Sequence, residues 1–206
     1  MEYNPDYDVF DVTKVPVWEQ GQHGGHTRPI NEDVLFKNFC EITELFKKYK
    51  IDYALSHGTL LGLHRLGNLI PWDDDMDITL FTRDHSKFPA LEQELRALGY
   101  HVPVRTENPS DEVNPLEKMY WYDFVAIKDG EKIEGWFTEK IDKKYVYDAP
   151  RVYLAWPERF FNTLETITWR GKEFSCPAHR EQYLARMYGN YPINPENAHR
   201  KYIHQS

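Results

Sequence analysis

Four of the five residues from Asp73 to Asp77 are carboxylates, interrupted by Met76, and they run straight into the apolar stretch Ile78-Thr79-Leu80-Phe81. Two carboxylates ~5 Å apart repel by roughly 3 kcal/mol at an effective dielectric near 20. Packed this tightly beside a core, such groups are costly unless a cation sits among them. Extended backbone alternates faces, so Asp73, Asp75 and Asp77 point one way while Met76 and Ile78 point into the core. The pattern suits one or two divalent ions, Mg²⁺ or Mn²⁺, held on one strand face. Its plain alternative is a solvated acidic turn.

A dozen or so residues earlier stands Gly58-Thr59-Leu60-Leu61-Gly62-Leu63-His64-Arg65, which reads as a short helix entered through glycine. Backbone amides at a helix start accept phosphate oxygens, glycine permits close approach, and the Thr59 hydroxyl adds a donor. Arg65 could clamp a phosphate, or pair with the acidic run. His57 and His64 flank this helix and could touch substrate or simply pack. Asp75 and Asp77 could then hold ions that bridge a transferring phosphate, with a third carboxylate from a neighbouring strand. Asp123, alone within Trp121-Tyr122-Asp123-Phe124-Val125, is the first candidate for that third ligand, and Glu134 the reserve. Asp123 or Asp73 could also deprotonate an acceptor hydroxyl.

Rival metal motifs fit less well. Asp73, Asp75 and Asp77 match the first, third and fifth ligands of an EF-hand loop, but its sixth position is Ile78 instead of glycine and its twelfth is Asp84. The Asp-x-Asp of nucleotide-sugar glycosyltransferases remains an alternative. Those folds place several βα units before the motif, and here an arm and one helix precede it. His23-Gly24-Gly25-His26 could ligate a metal, with nonspecific spacing.

The elements that must carry these residues can be read from periodicity and punctuation. Residues 1–30, rich in proline and glycine, read as an irregular arm, and 31–206 as a single domain. A helix starts at the N-cap Asn31, with Glu32 and Asp33 in its first turn. Leu35, Phe39, Ile42, Phe46 and Tyr49 form its apolar face and Lys47, Lys48 and Lys50 its basic end. Strands are predicted near 51–56, 75–81, 100–105, 118–128 and 132–137, the last two joined by an Asp129-Gly130 turn. A second amphipathic helix carries Phe88, Leu91, Leu95 and Leu98 and stops at Gly99. Residues 138–160 read as irregular, with Pro150 and Pro157 as breakers. A hairpin turns at Arg170-Gly171-Lys172, and Pro177 opens a last helix closed by Gly189. The order predicts an α+β fold, a small mixed sheet flanked by helices.

Composition excludes several classes. The chain has 206 residues, 41% apolar and 28% charged, as in ordinary soluble domains. No run approaches the ~18 apolar residues of a transmembrane segment, and the start lacks a signal-peptide pattern. A formal net charge of −8 and the lack of a basic stripe argue against a nucleic acid polymer as partner. Cys40 and Cys176 are far apart, and Cys40 lies on an apolar helical stripe, which predicts a buried free thiol and fits a reducing compartment.

The segment Tyr53-Ala54-Leu55-Ser56-His57-Gly58-Thr59-Leu60-Leu61-Gly62, then Arg65, then Ile70-Pro71-Trp72-Asp73-Asp74-Asp75-Met76-Asp77-Ile78, resembles the signature of the LicD/fukutin family. The segments Thr168–Phe174, with Pro177, and Tyr183–Gly189 are more loosely similar to its closing region. The resemblance implies a nucleotidyltransferase-like fold. It implies transfer of a phosphorylated alcohol, phosphocholine or an alditol phosphate, from a CDP-linked donor to a glycan or glycolipid acceptor. By motif position Gly58 and Thr59 take the phosphate-binding role, and Asp75 and Asp77 the metal role. Asp123 fits the family's later strand acid loosely, since Phe124-Val125-Ala126-Ile127 departs from the usual Phe-Pro pattern. A cytoplasmic site of glycan assembly is expected. Transfer of a nucleotidyl group from an NTP, and a non-catalytic glycan- or phosphate-binding subunit, are the competing readings.

Overall fold

The structure is a computed structural model that describes residues 30–70, 73, 75–106, 118–120, 123–149 and 152–188. The N-terminal arm with its His23–His26 cluster, and Gly189, lie outside the described residues.

Helix α1 (Glu32–Tyr49) begins where the sequence predicts. The Asn31 side chain accepts a hydrogen bond from the Val34 amide, and Glu32 and Asp33 sit at the positive end of the helix dipole. Lys50 closes it in the left-handed conformation. Leu35, Phe39, Ile42 and Phe46 are fully buried along one stripe.

Strand β1 (Tyr53–Leu55) and helix α2 (His57–Leu66) lead into β2 (Asp75–Phe81), then a 3-10 turn and α3 (Phe88–Ala97). Two short parallel strands, β3 (Val104–Thr106) and β4 (Lys118–Tyr120), precede β5 (Asp123–Lys128) and the long β6 (Glu131–Ile141). A meander continues through β7 (Lys144–Ala149) and β8 (Val152–Pro157), and the β9 (Leu164–Trp169) and β10 (Lys172–Pro177) hairpin leads to α4 (Arg180–Tyr188). The main sheet has six strands ordered β1-β2-β6-β7-β8, with β5 also on β6. It is mixed: β1 runs antiparallel to β2, β2 parallel to β6, and β5 and β7 antiparallel to β6. The α+β expectation, a small mixed sheet with helices, holds.

One sheet face is the core. Met76, Ile78 and Leu80 of β2 and Ile133 and Phe137 of β6 are at most 2% exposed. Helices α1 and α3 cover them through aromatic contacts: Phe88 meets Phe124 at 5.5 Å and Phe137 at 4.6 Å between ring centroids, and Phe46 meets Phe124 at 6.2 Å. Gly135 sits on this face because a Cβ there would lie 2.7 Å from Leu80 Cδ1 and 3.0 Å from Ile78 Cγ1. A side chain at that point would have to displace Leu80 and Ile78 within the core. The closing hairpin seals α1, with Trp169 edge-on to Phe36 at 4.9 Å and Arg170 paired with Glu32 and Asp33.

Three expectations need correction. Residues 138–160 are largely β-structure: β6 continues to Ile141, turns at Asp142 with φ 52°, and returns as β7 and β8. Pro157 ends β8 and does not interrupt it, and Pro150 lies outside the described residues. Pro177 does not open a helix but ends β10, paired with Leu164 at the end of the ladder, and α4 starts three residues later after His179 in the left-handed region. The predicted strand near 100–105 is shorter, Val104–Thr106, with His101 making an isolated bridge to Ile127. Cys40 is a partly buried free thiol and Cys176 a buried one.

Replacing the fully buried Phe88 with alanine removes the ring that joins α3 to β5 and β6. Stability should fall by about 3–5 kcal/mol, read as a lower urea midpoint with unchanged slope.

Candidate active site

The face of the sheet opposite α1 and α3 carries the polar groups. In-register neighbours point to the same side, so pairing of Asp75 with Lys132, Asp77 with Glu134 and Thr79 with Trp136 lays out three rows across β2 and β6. On the other flank of β6, Asp123 pairs with Trp136 and extends the third row. The alternation read from the sequence is observed: Met76 and Ile78 face the core, while Asp75 and Asp77 are partly exposed on the other side.

Helix α2 starts directly against this face. The Ser56 amide donates to the Asp77 carbonyl at 3.1 Å, and the Asp77 amide donates to Thr59 Oγ1 at 2.8 Å. Both backbone groups of Asp77 are thus tied to the first turn of α2. The Thr59 hydroxyl, 1% exposed, serves as an acceptor for β2, so its link to the site runs through that strand. Gly58 lies against Asp73: a Cβ on Gly58 would stand 2.4 Å from Asp73 Oδ2. The glycine brings the helix start and the first acid of the run together. First-turn amides lack intrahelical acceptors, so a helix end held here offers donors to an anion.

His57 enters α2 with φ 45°, a region that non-glycine residues seldom occupy, and such strain concentrates at functional loops. Its ring is buried, 4.2 Å from Trp136 between centroids and 3.1 Å from Ser56 Oγ through Nδ1. Burial brings its pKa down to about 4 against the pull of Asp75, so the imidazole is neutral at physiological pH. Arg65 lies seven residues further along α2, ~10 Å from Gly58 at 1.5 Å per residue. Burial lowers its pKa. Among the described residues it makes no salt bridge, so the pairing with the acidic run is not observed. His64 packs on the same side as Arg180 and Glu181 of α4, its pKa lowered by burial.

The electrostatics follow from crowding. Burial first, then Asp75, Asp73 and Glu134, push the Asp77 carboxyl well above the usual range, with Lys132 opposing. Glu134 is raised to about 7, by burial and Asp75, although Lys132 pulls it down. Lys132 holds the group together: its Nζ is 2.9 Å from Asp75 Oδ2 and 3.0 Å from Glu134 Oε2. Burial lowers the affinity of Lys132 for its proton, but Asp75 and Glu134 outweigh that and keep it a cation.

Asp123 stands apart. It accepts a hydrogen bond from Tyr147 Oη at 3.1 Å, and its carbonyl accepts from Arg105 at 2.7 Å. Burial raises its carboxyl to about 6, with Tyr147 and Arg105 opposing. It lies two strands from β2, ~10 Å across the sheet, and one row beyond Asp77. The acid that the register sets beside Asp77 is Glu134, the reserve candidate. Lys132 was not singled out from sequence. Its signal is the alternation Lys132, Glu134, Trp136 along β6, visible only once β6 is known to lie beside β2.

All the candidate ligands are carboxylate oxygens, which suit a hard divalent cation. The ammonium bridging Asp75 and Glu134 shows that the site accommodates positive charge. Among the described residues no three His, Cys, Asp or Glu side chains converge as an ion-binding group in this conformation, in which Lys132 occupies the centre. No described helix is long and apolar enough to cross a membrane.

A family model described as LicD/FKTN/FKRP, nucleotidyltransferase domain, matches residues 50–179, which is 130 of the 206 residues. Lipopolysaccharide cholinephosphotransferase LicD of Haemophilus influenzae is 43% identical over 44 residues, 21% of this chain and 17% of that protein. An uncharacterised protein of Rickettsia prowazekii is 35% identical over 127 residues, 62% of this chain and 41% of that protein, and one of Rickettsia typhi is 35% identical over 68 residues, 33% and 22%. The matched stretches thus span between about a sixth and two fifths of these relatives. Among solved structures, ANT(2'')-Ia in complex with adenylyl-2''-tobramycin is similar with a TM-score of 0.47 at 15% identity, covering 79% of this chain and 85% of that one. The solution structure of ANT(2'')-Ia gives 0.48 at 14%, covering 82% of each.

Asp123 supplies a pH test of the geometry. Its folded pKa is raised above the unfolded value, so its stability contribution is fully present below pH ~4 and is lost as pH rises through about 6. Asp123→Asn should match wild type near pH 4 and exceed it by pH 8, by on the order of 1 kcal/mol. Denaturant titrations at both pH values in EDTA measure the difference; an equal gap at both would show that Asp123 ionises normally.

Proposed function

We propose a reaction from one premise: the chain belongs to the LicD/FKTN/FKRP family of nucleotidyltransferase domains. The reading is transfer of a phosphorylated alcohol, of the phosphocholine or alditol phosphate type, from a CDP-activated donor to a hydroxyl of a glycan or glycolipid. The observation that carries it is the pairing of Asp77 with Glu134 across two parallel strands, beside the start of α2.

Each residue then has a role that its position supports. The first turn of α2, with Gly58 at its closest approach, faces the donor's phosphates. Asp75 and Asp77 are the proposed ligands of Mg²⁺ or Mn²⁺, with Glu134 as third ligand ahead of Asp123. These carboxylates would hold a divalent ion, which would supply positive charge to offset the negative charge developing on the departing CMP. The Asp77 backbone is tied to α2 through both its amide and its carbonyl, which fixes the position from which its carboxylate projects. Asp123, one row outward and with its carboxyl near pH 6, suits a base that takes the acceptor's proton. Arg65, further along α2, would contact the donor away from the reacting phosphate.

The test is CMP release from CDP-choline, CDP-ribitol and CDP-glycerol with Mg²⁺ and candidate glycans. Asp77→Asn should lower turnover by about a hundredfold to a thousandfold or more while the far-UV circular dichroism is unchanged. EDTA should abolish turnover, and Mn²⁺ or Mg²⁺ restore it. Pyrophosphate release from an NTP in place of CMP release would instead assign nucleotidyl transfer to the same residues. Near wild-type turnover in Asp77→Asn would defeat both.

A further inference from the structure

We propose that Lys132 is the protein's own competitor for the divalent-ion position, so that metal and diphosphate enter together and the diphosphate takes over the displaced ammonium. The inference rests on the transfer reading above and adds to it a residue that sets the order of binding.

The geometry leads there in three steps. Asp75 Oδ2 and Glu134 Oε2 both accept from the same Nζ, at 2.9 and 3.0 Å. A divalent ion needs such oxygens at ~2.0–2.6 Å, and an ammonium left between them would face it as a like charge within about one ion diameter. The two cations therefore exclude one another. Second, Lys132 can leave. Its side chain is 31% exposed against 13% and 25% for Asp75 and Glu134, and its long flexible stem can swing the ammonium into solvent, whereas the shorter acids stay on the strand face. Third, the exchange is poor without a phosphate. The incoming ion must desolvate the ammonium's two partners and leave the ammonium without a carboxylate. A diphosphate on the α2 side of the same face supplies new anionic oxygens for the lysine at that moment. By linkage, what the diphosphate does for the metal the metal does equally for the diphosphate.

A lysine that merely held the carboxylates in place would behave in the opposite way, since its loss would loosen the ligands and weaken the metal. The sign of the change decides between the two.

Isothermal titration of Mn²⁺ alone into wild type, Lys132→Met and Lys132→Gln provides the readout, repeated with saturating CDP as the diphosphate probe. Both variants should bind Mn²⁺ about tenfold tighter than wild type without CDP, since the competing like charge is gone. CDP should tighten Mn²⁺ binding by a larger factor in wild type than in either variant. Equal or weaker Mn²⁺ binding in variants that keep the wild-type circular dichroism overturns the competition, and an unchanged CDP factor overturns the joint entry. The glutamine variant, which keeps a polar but uncharged head group, keeps the test open should the methionine variant not fold. Wild-type protein that binds Mn²⁺ neither with nor without CDP overturns the transfer reading itself, a result distinct from either of these.

Discussion

Carboxylate repulsion on a rigid sheet is the constraint from which the rest of this structure follows. A flexible acidic loop would relax by turning its side chains into water. Asp75, Asp77 and Glu134 cannot do so, because each is fixed by strand pairing and each alternate residue, Met76, Ile78, Ile133, is locked into the core at 2% exposure or less. Burial first, and this repulsion after it, raise the affinities for protons at Asp77 and Glu134, and Lys132 sits between Asp75 and Glu134 to offset the crowding. Burying apolar area on one face is what keeps the charges together on the other.

The same rigidity explains the unusual backbone at the entry to α2. The helix must begin where the Ser56 amide reaches the Asp77 carbonyl and the Thr59 hydroxyl reaches the Asp77 amide. Meeting both contacts within four residues of β1 leaves His57 at φ 45°, a strained conformation for a β-substituted residue. Packing of its ring on Trp136 and the approach of Asp73 to Gly58 hold the turn in that state. A helix start that is over-determined in this way presents its amides at a fixed position and does not have to be ordered by the ligand.

What the sequence made legible was local. Helix α1 announced its cap, its dipole-matched ends and its apolar stripe, and all three are in place. The Asp129-Gly130 turn and the strand at 75–81 were equally readable, because turn chemistry and alternation act over a few residues. The meander of β7 and β8 was not. Tyr145, Val146 and Tyr147 are all buried, so the period-2 signal that marks a half-exposed strand is absent, and the turn at Asp142 uses no glycine. Pro177 misled for a related reason. A proline fits equally at the first turn of a helix and at the last rung of a ladder, and only the pairing with Leu164 decides.

The third carboxylate shows where local reading ends. Asp123 and Glu134 both lie in apolar strands, both point to the face that bears Asp77, and both have raised proton affinities from burial. Alternation cannot rank them, since both have the right parity. The ranking comes from the parallel pairing of β2 with β6, which inserts β6 between β2 and β5 and puts Glu134 in the Asp77 row and Asp123 in the next. Parallel partners are joined through a long crossover, here everything from α3 to β5, so no short window of sequence contains the information. Lys132 follows from the same pairing: two residues before Glu134 on β6, it is placed across from Asp75 by the register alone. A site whose charges balance only after two distant strands align is one in which the fold itself, more than any motif, sets the chemistry.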